Sequence, residues 1–125
     1  MNRPFPITLG TVALLYMASS AAIAQNAPPT YKADPSVYVL IFEDQNSRVI
    51  ATNWKAGATD KPHSHPLPSV IFFINDCALR LHSADGKTRD INPKAGTAMA
   101  VPITASHTTE NVGAKDCQAV FVERK

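Results

Sequence analysis

The chemistry in this sequence concentrates in Lys61-Pro62-His63-Ser64-His65-Pro66-Leu67-Pro68-Ser69, which runs directly into the apolar segment Val70–Ile74. On an extended segment, residues two apart project to the same face, so His63 and His65 can present two imidazoles to one metal ion. A pair of exposed loop histidines beside prolines is the bland alternative. Chelation needs more than a pair: a third ligand, a scaffold that holds all three, and a pocket open to solvent.

The elements available to build that scaffold are strands. From Val37 onward the chain is a series of short runs rich in Val, Ile and Phe, separated by turn residues, and no stretch keeps apolar residues at helical spacing. The pattern predicts eight strands, at 37–43, 48–54, 69–74, 78–83, 88–92, 98–101, 107–111 and 118–123, and an all-β sandwich or barrel. Residues 25–36 carry three prolines and little apolar bulk, which predicts an extended or disordered arm. The 70–74 and 119–122 runs are apolar on both faces, so a second surface must cover the outward side. A homodimer interface is the expected cover; the alternative is that the N-terminal arm packs over Val70, Phe72 and Ile74.

Residues 1–24 read as a cleaved signal peptide. Arg3 precedes an apolar stretch from Ile7 to Ala22, and Ala22-Ile23-Ala24 supplies the small-x-small pattern for cleavage after Ala24. The rival, an uncleaved membrane anchor, lacks length and a basic stop-transfer cluster. The mature chain, Gln25–Lys125, would be one domain with a periplasmic or secreted location and no membrane segment. Loss of Arg3 leaves 11 basic against 10 acidic residues, with no block of either sign, which gives no footprint for nucleic acid. In an oxidising compartment Cys77 and Cys117 can form one bridge; a role in a metal site competes, although no C-x-x-C spacing supports it.

Two spaced patterns organise the domain. Gly57 is followed after five residues by His63-x-His65, then Ser69 after three and Asp76 after six. Gly96 is followed after five by Pro102, then by Thr104, His107 and Asn111. This resembles the two motifs of the cupin superfamily, G-x5-H-x-H-x3-E-x6-G and G-x5-P-x-G-x2-H-x3-N, over residues 48–123. The wording around them is similar to that of small single-domain bacterial cupins. The departures are Ser69 at the glutamate ligand position, and Asp76 and Thr104 at two glycine positions. An Asp after Asn75 is expected to accept the turn geometry of the first glycine.

The resemblance implies a cupin jelly-roll β-barrel with His63, His65 and His107 turned into its mouth. Such an all-imidazole site suits a divalent transition metal (Zn, Cu, Ni, Fe or Mn) and not Ca²⁺ or Mg²⁺, which want oxygen ligands. It implies a small polar ligand in the mouth, with Ser69, Asn111 and Asp60 as pocket residues or partners of the ligating histidines; for Asn111 a structural role is the more frequent one. The catalytic residues, if any, are unassigned. The same fold places the strand ending near Asp76 beside the last strand, which would bring Cys77 to Cys117 as a disulfide. His82 and Glu110, on the opposite parity, are expected at the surface. The function options are a metal-binding cupin acting on a small molecule, a non-catalytic binding or metal-sequestering module, an enzyme like the three-histidine ferrous thiol dioxygenases, or an assembly protein whose histidines are relics.

Overall fold

A computed structural model describes residues 25–125, so the leader expected at 1–24 lies outside the described residues. Short runs rich in Val, Ile, Phe and Thr, closed by turn residues, supply most of nine strands: β1 Tyr38–Glu43, β2 Ser47–Trp54, β3 His63–His65, β4 Ser69–Phe73, β5 Leu79–Ser83, β6 Thr88–Ile91, β7 Ala98–Val101, β8 Thr104–Asn111 and β9 Cys117–Arg124. They form two sheets, ordered β1-β2-β9-β4-β7 and β3-β8-β5-β6, with every strand pairing antiparallel. This is the expected jelly roll, with its two sheets kept separate and not hydrogen-bonded into a closed barrel. Tyr38, Ile50, Trp54, Ile71, Phe73, Leu79 and Phe121 fill the space between them.

The strand absent from the sequence expectation is β3, which carries the histidine pair. Three residues between prolines hold too little periodicity to read as a strand. They pair because β8 is longer than expected, starting at Thr104 and not at His107.

Of the extended or disordered arm expected at 25–36, the start is extended and paired to the domain. Ser64 N–H donates to Pro28 O at 2.8 Å, and Ala27 N–H to Ala105 O at 3.0 Å. One helical turn, α1 Thr30–Ala33, follows. Asp34 then accepts from Ser36 and from the Lys61 backbone N–H. The physical reason is a contact distant in sequence: β3 is short and its backbone needs partners, and the Pro28 carbonyl supplies one. As a result all three residues of β3 are buried.

The arm therefore covers β3 and leaves the outer face of the five-stranded sheet open. There Phe42, Val49, Val122, Val70 and Ala100 make one cross-strand row, and Val39, Ala51, Val120, Phe72 and Ala98 make the next. A bulge at Ile41 keeps Phe42 on this face. Val70, Phe72 and Ile74 are 44–51% exposed, so the arm is not their cover.

Gly57 and Gly96, which open the two motifs, have φ of 74° and 77°, a backbone region costly for residues with a Cβ. Asp76 does not imitate a glycine as expected, since no described non-glycine residue has positive φ. Its carboxylate instead accepts the Ala95 N–H at 2.9 Å and tethers the turn from the side. The β4–β9 ladder runs to Phe73–Ala119, and Ile74 N–H reaches Gln118 O. The strand ends that follow are joined by the Cys77–Cys117 disulfide, with Cα atoms 5.2 Å apart.

Candidate metal centre

The three histidines meet through a defect in the β3–β8 ladder. His63 pairs with His107, but His65 pairs with Thr104, so two steps on β3 span three on β8. His107 lies on the inward face of β8 with Thr109 and Asn111 through the unbroken β5–β8 ladder, and the bulge brings it, in place of Ser106, opposite His63. The imidazole centroids then lie 4.5 Å (His63–His107), 4.9 Å (His65–His107) and 5.1 Å (His63–His65) apart. One ring nitrogen from each falls within 4.8 Å of the others.

Each ring is held by a different device. His63 Nδ1 donates to the Lys61 carbonyl at 2.9 Å, which leaves Nε2 with its lone pair. Asp60 stands behind it, with Oδ1 3.5 Å from His63 Nδ1. That carboxylate is itself fixed by Tyr38 Oη (2.6 Å), Trp54 Nε1 (2.8 Å) and the Thr109 backbone N–H (2.7 Å). His65 stacks on Phe121, centroid to centroid 5.4 Å, and its Nε2 lies 2.9 Å from His107 Nε2.

Electrostatics favour the neutral form of His65 and His107. Burial first, then the neighbouring His63 and His107, pushes His65 down to about 3; burial and His63 push His107 down to about 4. Burial and the adjacent Asp60 carboxylate hold the Tyr38 phenol well above its usual value, so it stays protonated. Three imidazoles converging at one point, one with its second nitrogen anchored to a carbonyl, fit the donor set of a first-row divalent ion.

The other expected site residues divide. Asp60 lies beside His63, as a histidine's partner should. Ser69 is buried with its hydroxyl lacking a partner, opposite Glu123 across the β4–β9 ladder. Asn111 donates to the Trp54 and Lys115 carbonyls and accepts from Gly113 N–H, so it braces a loop and does not line the cavity. His82 and Glu110 pair with each other at 2.8 Å, away from the triad and part-buried. Two residues escaped the sequence reading. Tyr38 Oη sits 3.4 Å from His63 Nε2, and Glu123 is buried beside Arg48 at 2.8 Å. Tyr38 opens an ordinary apolar run, and Glu123 closes one beside a chain terminus, so neither carried a signal.

A cavity of about 540 Å³ lies between the sheets, with His65, His107 and Tyr38 on its wall and His63 buried behind them. The family profile described as a cupin domain matches residues 52–123. Solved structures similar to this chain include a cupin domain from Bordetella pertussis, with a TM-score of 0.66 at 16% identity, covering 82% of this chain and 99% of that one. A cupin family protein from Methanocaldococcus jannaschii gives 0.58 at 13%, covering 92% and 93%. A polyketide cyclase from Streptomyces resistomycificus gives 0.55 at 16%, covering 78% and 68%. Comparison with curated proteins gives no match.

Proposed function

The chain belongs to the cupin-domain family, and from that premise we propose that it is an exported metal-binding cupin that receives a small molecule in the mouth of its jelly roll. His63, His65 and His107 would hold the ion; Asp60, through its contact with His63, would orient that ring. The observation that carries this reading is the convergence of three ring nitrogens within 4.8 Å, two of the rings lining a cavity. The ion would supply Lewis acidity to a polar group of the bound molecule. Around it the chain's own residues exclude water with Phe121 and Trp54 and keep a phenol proton at Tyr38 Oη.

Zn, Cu, Ni, Fe and Mn all fit an imidazole set. Metal analysis of the purified protein beside a His63→Ala/His65→Ala variant is the test, and equal metal content in the two would reject the reading. A second reading, binding without turnover, is favoured by Asp60: all three of its donors leave that carboxylate no free role as a base, and Ser69 offers none in place of the motif glutamate. Consumption of a bound compound, as against a rise in melting temperature alone, separates the two.

Two further elements belong to the proposal. Export through a leader cleaved after Ala24, to the periplasm or outside, is supported by the disulfide, which persists in oxidising compartments. A homodimer is supported by the two all-apolar rows on the outer face of the five-stranded sheet, a surface that packs naturally on a second sheet of the same kind.

A further inference from the structure

We propose that the cavity selects a monocarboxylic acid with an apolar body about the size of one ring, its carboxylate held by Arg89 and its opposite end directed to the histidine triad. The inference rests on the metal-site reading only for that opposite end; the Arg89 end stands on the β5–β6 ladder.

Cross-strand partners project to the same face. Leu79 pairs with Ile91 and Leu81 with Arg89, and all four line the cavity. The intervening pair projects the other way, where Arg80 and Asp90 close a two-point ion pair at 2.8 and 3.0 Å. Outer-face charge on this sheet is thus neutralised locally, and the Glu110 carboxylate likewise has a partner in His82 at 2.8 Å. Arg89 faces the cavity and has no acidic partner among the described residues. The other cation on the wall, Lys87, lies 3.6 Å from Asp85. A guanidinium is planar and presents two parallel N–H donors, the geometry a carboxylate accepts.

Between Arg89 and the triad much of the wall is apolar, with Ile71, Phe73, Met99 and Val101 from the five-stranded sheet and Leu81 and Ile91 from the other; Thr109, opposite Leu81, and Ser83, opposite His107, add two hydroxyls. Arg89 on β6 and His107 on β8 are two strands apart, with β5 between them, a lateral separation of about 10 Å. After both side chains reach inward, the remaining gap suits one ring or a short branched chain. An inorganic anion would reach Arg89 but leave this wall in contact with water. A neutral apolar compound would fill the wall and ignore the guanidinium.

The test is calorimetric titration of the purified protein, metal-free and zinc-loaded, with 4-hydroxybenzoate and 4-phenylbutyrate and with the corresponding amides. Each acid is expected to bind about tenfold more tightly than its amide. Arg89→Gln should abolish that preference without changing zinc stoichiometry or melting temperature, because Arg89 is exposed and touches no histidine. Arg80→Gln, on the outer face, should keep it. The acid–amide comparison can be read in the metal-free protein, so a failure of zinc binding would reject the metal reading without deciding this one. Equal binding of acid and amide, a preference that survives Arg89→Gln, or no binding of either acid would overturn the proposal.

Discussion

His65 Nε2 and His107 Nε2 lie 2.9 Å apart although 42 residues separate them in the chain. Sequence spacing brings His63 and His65 together; alternation along β8 turns His107 inward, and the bulge between β3 and β8 sets it opposite His63. The site is therefore a product of ladder register, and it depends on what buttresses β3 and β8.

Asp60 is the principal buttress. Asp60→Ala removes the acceptor for Tyr38 Oη, Trp54 Nε1 and the Thr109 N–H, all buried. Unfolding by urea should show a loss of about 3 kcal/mol or more, since each buried donor left alone costs about 1–3 kcal/mol. Metal affinity should fall about tenfold or more through the loosened His63. A variant as stable as the parent would contradict the network.

Stability of the metal-free protein should depend on pH in a defined direction. Unfolded imidazoles take up protons near 6.5, whereas folded His107 and His65 resist until about 4 and about 3. Between those values the unfolded state binds more protons, so this contribution is complete above pH 6.5 and is lost as pH falls toward 3. Each ring contributes a slope of up to about 1.4 kcal/mol per pH unit. Urea midpoints at pH 7.5 and 4.5 measure it; replacing His65 and His107 with alanine should flatten the difference.

The disulfide closes a loop between residues 40 apart in sequence. In the chain-entropy account it stabilises the fold by roughly 4 kcal/mol. Reduction, or Cys77→Ala with Cys117→Ala, should lower the denaturation midpoint accordingly. Two free thiols in the denatured, unreduced protein would contradict the pairing.

On the outer sheet face, Val70 and Val122 are cross-strand neighbours in the middle of one apolar row. Val70→Lys with Val122→Lys should convert a dimer to a monomer in analytical ultracentrifugation, with the metal content unchanged. A wild-type protein that sediments as a monomer at tens of micromolar would reject the dimer.

The fold was largely legible because strand alternation is a local signal: the parity that buries Ser69, Ile71 and Phe73 also exposes Val70 and Phe72. The three histidines were legible through their motif spacing. What escaped depended on contacts distant in sequence. β3 is a strand only because β8 and Pro28 supply its partners, and the turn at Asp76 is held by a side-chain bond to Ala95. Tyr38 reaches His63 across the core, and Asn111 turns to a loop carbonyl in place of the cavity. No residue type or spacing encodes which way such side chains turn.

The most direct measurement is thermal unfolding of the EDTA-stripped protein with stoichiometric Zn²⁺ added, in parallel with His63→Ala, His107→Ala and the surface control His82→Ala. The account predicts that zinc raises the melting temperature of the parent and of His82→Ala by several degrees, and leaves both triad variants unmoved. A zinc response that survives loss of His63 or His107, or that is absent from the parent, would contradict it.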